Sequence, residues 1–121
     1  MAVINAFRAS FLEKEILRRL SELVKVEIRE VLQIIVFGSR ARGESDEGSD
    51  LDIAIIADVP HIGKEIWNRI WDIKWRVLED LQAEEFPLSL SLITMKDLIS
   101  RDFGLEKAVK TEGILIWERK N

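Results

Sequence analysis

The sequence predicts an α/β (α+β) domain in which a short mixed β-sheet is backed by helices, and three observations predict it. Two short runs rich in β-branched residues, Ile34-Ile35-Val36-Phe37 and Ile53-Ala54-Ile55-Ile56, read as strands buried on both faces. Phe86 to Ile93 alternates apolar and small or polar residues with a period of two, as a third strand does. Long segments around these runs repeat their apolar residues at helical spacing. With 121 residues, positions 1–121 are expected to form a single domain, and 47% apolar residues suffice for a core.

Each element follows from its own pattern. From about Ala6 to Val31 the residues Phe7, Phe11, Leu12, Ile16, Leu20, Leu23, Val24 and Ile28 form an apolar stripe between charges such as Glu13 and Arg18, which predicts an amphipathic helix. Leu32 to Phe37 is a strand stopped by Gly38, and a short helix is expected from Ser39 to Gly43. Glu44 to Ser49 is a polar acidic loop, and Leu51 to Ala57 is the next strand. A second long helix is expected from Ile62 to Gln82, with Trp67, Trp71 and Trp75 on one face. Its apolar residues cover an arc of roughly 200°, wider than a single buried stripe. That face is read either as a wedge between sheet and N-terminal helix or as a protein interface. Lys74 lies inside the arc, and its stem is expected to pack while the ammonium reaches water. After the third strand, Met95 to Ser100 reads as a short helix capped by Thr94, Gly104 to Thr111 as a last helix, and Ile114 to Trp117 as a strand or extended tail.

Composition narrows the function. Cysteine is absent, so no disulfide framework or thiolate metal site exists, and no signal peptide, membrane span or lipidation motif is seen, which leads to a cytoplasmic expectation. The 18 basic and 22 acidic residues are interleaved, which disfavours nucleic acid as the main ligand.

The chemistry is concentrated in Gly38-Ser39-Arg40-Ala41-Arg42-Gly43 and, ten residues after Ser39, in Asp50-Leu51-Asp52. Carboxylates at i and i+2 of a strand share a face about 6.5 Å apart along the backbone, with Leu51 turned to the core. Magnesium is commonly held by one or two carboxylates together with substrate phosphates, so Asp50 and Asp52 suit a metal-triphosphate complex. Gly38 permits close backbone approach, Ser39 adds a hydroxyl, and the helix start offers N–H groups to phosphate oxygens. Of Arg40 and Arg42, at most one is expected to address the ligand, the other being solvated or paired with the acidic loop. His61, the one histidine, reads as a turn or cap residue.

Gly38, Ser39, Asp50 and Asp52, with Ala41-Arg42-Gly43 and Ser49, resemble the signature of the minimal nucleotidyltransferases of the DNA polymerase beta-like superfamily. The order of elements and the C-terminal Glu112-Gly113 resemble nearly the whole of such a domain. The resemblance implies a polymerase beta-like fold and transfer of a nucleoside monophosphate from a magnesium-bound triphosphate to a hydroxyl. It implies Asp50 and Asp52 as catalytic metal ligands for Mg2+, with Gly38, Ser39 and Arg42 binding the nucleotide, ATP. Freestanding members of this size resemble the antitoxins of HEPN-type toxins, which attach AMP to a tyrosine of the partner, a type VII-like arrangement.

One departure concerns the third carboxylate that the family places on the next strand, where this sequence has Ser89. That acid helps hold the ion that lowers the acceptor hydroxyl's pKa, whereas the pair can still hold the triphosphate's ion. Glu84 or Glu85, Glu44 or Glu47, or the partner itself are the candidate replacements. The alternative function is therefore a catalytically impaired, nucleotide-binding antitoxin that neutralises its partner by direct binding, through the tryptophan face. Transfer to a small-molecule acceptor has little room in 121 residues. A homodimer is also compatible with the wide apolar helix face.

Overall fold

The computed structural model describes residues 2–3, 10–43 and 49–120. Strand β1 (Ala2–Val3) is followed by α1 (Phe11–Glu27), β2 (Val31–Phe37), α2 (Ser39–Arg42), β3 (Leu51–Ala57), α3 (Lys64–Asp80), β4 (Leu88–Thr94), α4 (Met95–Ser100), α5 (Gly104–Glu112) and β5 (Ile114–Glu118). The strands form one mixed sheet in the order β1-β5-β2-β3-β4, in which β2 runs antiparallel to β3 and β5 while β3 and β4 are parallel. The expected mixed sheet backed by helices is therefore the fold.

Alternation along the strands divides the core in two. Ile34, Val36, Ile53, Ile55, Leu88 and Leu90 face α1 and α3, where they meet Ile16, Leu20, Ile70, Ile73 and Val77. Ile35, Phe37, Ala54, Ile56 and Ile93 face the other way, onto Leu98 of α4 and Val109 of α5. Each fully buried Ile or Leu among them contributes about 1.5–3 kcal/mol. The central strands are covered on both sides, which is why they read as unbroken apolar runs.

Helix α1 departs from the expected span at both ends. Ser10 is its N-cap, accepting from the Glu13 N–H while the Glu13 carboxylate accepts from the Ser10 N–H. This capping box starts the helix at Phe11, and residues 6–9, Phe7 among them, lie outside the described residues. Phe11 is 81% exposed rather than part of the stripe, because it stands two and a half turns, hence half a turn out of phase, from the buried Leu20. Ile28 caps the other end, and Val31 already belongs to β2. Helix α4 and its Thr94 cap match expectation, as do the bounds of β3. β1 is an addition: two residues carry no periodic signal, and only its parallel pairing with β5 defines it. Among the described residues no helix is long and apolar enough to cross a membrane.

Candidate functional site

The antiparallel pairing of β2 with β3 sets Phe37 opposite Asp52, so the turn that leaves β2 emerges beside the acid pair. Gly38 makes that turn with φ +79° and ψ −159°, a region open essentially to glycine alone. A Cβ at Gly38 would stand 2.4 Å from Asp52 Oδ2, so the carboxylate occupies the space a side chain would need. Helix α2 follows, and Gly43 closes it in the left-handed conformation, its N–H donating to the carbonyls of Ser39 and Arg40. Among the described residues, the main-chain N–H groups of Ser39, Arg40 and Ala41 have no partner, and they are the donors a phosphate would meet.

Asp50 is exposed and Asp52 half-buried, with Leu51 between them fully buried in the core. Burial, and then the negative charge of Asp50, push the Asp52 carboxyl above the usual range. The Ser89 hydroxyl, which donates to Asp52, and the charges of Arg40 and Arg42 pull in the opposite direction without cancelling the rise. A carboxylate pushed toward its neutral form by burial and by a neighbouring carboxylate fits a divalent cation, whose charge would favour its ionised form. Among the described residues no third His, Cys, Asp or Glu joins them. Glu84 and Glu85 lie exposed in the turn after α3, and Glu44 and Glu47 fall outside the described residues.

Ser89 stands directly opposite Asp52 in the parallel register of β3 and β4. The strand position expected to carry a third carboxylate is thus beside the acid pair, and a hydroxyl occupies it.

The two arginines have separate roles. Arg40 donates through Nε and Nη2 to the Ser49 carbonyl, at 3.1 and 2.6 Å, and its Nη1 lies 3.1 Å from the Glu13 carboxylate. Its guanidinium also sits 5.5 Å from the centre of the Phe86 ring. One side chain thereby ties the start of α1 and the glycine turn to the residue that precedes Asp50. Sequence reasoning missed Glu13 as its partner, since a capping-box glutamate reads as local. Arg42 pairs with Glu112 at 2.8 Å across the surface.

Lys74 corrects the expectation that its ammonium reaches water. The side chain is buried, donates to the Leu88 carbonyl at 3.0 Å, and places Nζ 4.3 Å from the Trp71 ring centre and 5.2 Å from that of Trp75. Desolvation lowers its pKa, against the opposing pull of the Asp50 charge. A lysine between tryptophans at i−3 and i+1 was the available signal. Trp67 stacks on Trp71 at 5.5 Å, while Trp71 and Trp75 remain 41% and 39% exposed. His61 is exposed in the bend before α3, in keeping with a turn residue.

A family model described as Nucleotidyltransferase domain matches residues 13–120. The chain belongs to this nucleotidyltransferase family. No curated protein matches it. Among solved structures, a toxin–antitoxin crystallised with AMP-PNP is 23% identical, with 86% of this nucleotidyltransferase and 74% of that chain covered and a TM-score of 0.55. A toxin–antitoxin MntA–HpeT mutant is 20% identical over 86% of this chain and 74% of that one, also with a TM-score of 0.55. A Sulfolobus solfataricus protein assigned as a nucleotidyltransferase is 17% identical over 93% and 91% of the two chains, with a TM-score of 0.54. At these identities the likenesses show a shared nucleotidyltransferase fold.

Proposed function

We propose that this nucleotidyltransferase binds magnesium-ATP and transfers AMP to a hydroxyl, a tyrosine side chain, of a partner HEPN-type toxin in the cytoplasm. It would thus be a type VII-like antitoxin. The observation that carries the reading is the convergence of Gly38 and Asp52, which sets free backbone donors and two carboxylates around one space. The toxin–antitoxin neighbour holding a nucleotide analogue supports the same assignment.

In this reading the N–H groups after Gly38, the Ser39 hydroxyl and Arg42 hold the triphosphate, Arg42 exchanging its Glu112 partner for phosphate. Asp50 and Asp52 hold the magnesium ion that, when bound, neutralises charge developing on the phosphates. The acceptor oxygen forms a bond to the α-phosphorus as the bond to the bridging β-phosphate oxygen breaks. AMP is then esterified to the acceptor and pyrophosphate leaves. Ser89 cannot take the acceptor's proton as a carboxylate would, so that proton passes to a base on the partner or to water.

The test is α-labelled ATP with the chain and the protein encoded beside it. Labelling of the partner at tyrosine is expected, and Asp50→Asn with Asp52→Asn should reduce it about 10²-fold or more. A wild-type chain that binds ATP yet labels no partner ends the transferase reading. A second reading, neutralisation by direct binding of the partner, is favoured by Ser89 and by the exposed Trp71 and Trp75. It requires the double asparagine variant to neutralise as well as the wild type, and charged replacements of the two tryptophans to fail.

A further inference from the structure

We propose that two copies of this chain pair through the open edge of β4, antiparallel and centred on Leu90, so that their sheets become one. Among the described residues β4 is the last strand of the sheet, with β3 as its only strand partner. The Leu51 N–H donates to the Pro87 carbonyl at 2.8 Å while Leu51 stands opposite Leu88. In a parallel ladder this fixes the direction of every main-chain group of β4: those of Ser89, Ser91 and Ile93 face β3, and those of Leu88, Leu90 and Leu92 face away. Among the described residues, the N–H and C=O groups of Leu90 and Leu92 have no partner. The Leu88 carbonyl accepts from Lys74 and keeps a second lone pair.

Such an edge is a template for another strand, and monomeric proteins blunt it with charge, proline, a bulge or a cover. β4 carries no charged residue and no proline, and its register with β3 is unbroken. Lys74 guards its first carbonyl alone.

The sequence of the strand selects a second copy as the occupant. Leu88-Ser89-Leu90-Ser91-Leu92 reads identically in both directions. A twofold axis at Leu90 sets Leu88 opposite the partner's Leu92, Leu90 opposite the partner's Leu90, and Ser89 opposite the partner's Ser91. The three leucine pairs are then the hydrogen-bonded ones, each exchanging both N–H···O bonds, and all the outward-facing leucines are used at once. Leucine meets leucine on the α1–α3 face, and serine meets serine on the face of Asp52. The pairing reaches the site as well: the partner's Ser91 lands beside Ser89, the hydroxyl that donates to Asp52. This inference is independent of the activity proposed above.

The chain has no cysteine, so Ser89→Cys and Ser91→Cys make a clean probe of register. Across a non-hydrogen-bonded antiparallel pair the Cα atoms are about 4.5 Å apart, within disulfide range. A disulfide-linked dimer is expected when the two variants are mixed and oxidised, and not from either alone. Sedimentation equilibrium of the wild type should give twice the 14.0 kDa chain mass. Leu92→Pro, which takes from the main chain only an outward-facing N–H and replaces a side chain at the margin of the core, should give a monomer with an unchanged helical circular dichroism signal. A monomeric wild type across the micromolar range overturns the proposal, and so does a dimer that forms no mixed disulfide. Should Leu92→Pro lose its helical signal, the mixed disulfide and the wild-type mass decide without it.

Discussion

A Cβ on Gly38 would stand 2.4 Å from the Oδ2 of Asp52, so the glycine turn and the acid pair compete for one space. Gly38→Ala therefore carries two penalties, the backbone strain of φ +79° with ψ −159° and the displacement of the Asp52 carboxylate, a proposed metal ligand. The strain costs about 1–3 kcal/mol of stability, read from urea unfolding. Magnesium-ATP affinity should fall as well, because Asp52 must move. Gly43→Ala is the control: φ is +75° there too, but nothing lies within 4 Å of the added Cβ. It should cost about 1–2 kcal/mol and leave nucleotide affinity in place. Equal losses of affinity in the two variants would mean that strain alone, and not crowding of Asp52, governs the site.

Ser89 faces Asp52 across β3 and β4, which makes Ser89→Asp a restoration of the expected third carboxylate. Three clustered acids repel, so the metal-free variant should melt at a lower temperature than the wild type. Magnesium or manganese should reverse that loss, and calorimetry should show tighter cation binding. Partner labelling should also rise, because a carboxylate can now help to ionise the acceptor hydroxyl. Labelling that does not change would place the missing acid on the partner.

What was legible in the sequence depended on how local its cause was. The span of β3 is set by its own β-branched residues and by flanking polar residues, and it was read correctly to its ends. The Thr94 cap lies three residues before the N–H it accepts from, at Asp97, and was equally readable. The position of Ser89 was legible only through the family resemblance, which aligns Pro87 to Ser91 with the strand that carries the third carboxylate. The register that sets Ser89 opposite Asp52 is a pairing between strands, which alternation within one strand does not fix. Lys74 was not, since its ammonium is held by a carbonyl fourteen positions away and by two rings that a helical wheel places only as neighbours. The bond from Arg40 to Glu13 spans two elements distant in sequence, and no spacing rule links them.

The raised pKa of Asp52 makes a prediction about pH. The folded chain holds this proton more tightly than the unfolded chain does, so the stability it contributes is present at low pH and is lost as pH rises through the folded value. Ionised Asp52 is therefore a burden at neutral pH. Asp52→Asn should melt at a higher temperature than the wild type at pH 7, and the two should converge below about pH 4, the usual aspartate value. Magnesium should raise the wild-type melting temperature at pH 7 and leave that of the variant nearly unmoved. A variant that is less stable than the wild type at pH 7 would show that the Ser89 hydrogen bond outweighs the burial and repulsion.

Arg40 and Glu13 form the least exposed ion pair among the described residues, with side chains at 13% and 9% exposure. Removing one member leaves the other charged and unpaired, which costs about 3–5 kcal/mol for pairs of this kind. Arg40→Met should approach that range in urea unfolding, since it also abandons the Ser49 carbonyl. Glu13→Gln should cost less, because an amide oxygen can still accept from the Ser10 N–H and Arg40 keeps its bonds to Ser49. The double variant should be more stable than the sum of the single losses, a coupling that a double-mutant cycle measures. Nucleotide binding separates two roles for the arginine. If Arg40 only supports the fold, affinity should recover with stability in the double variant. If it also fixes the chain before Asp50, affinity should stay low wherever Arg40 is absent, and the two bonds to the Ser49 carbonyl lead us to expect the second result.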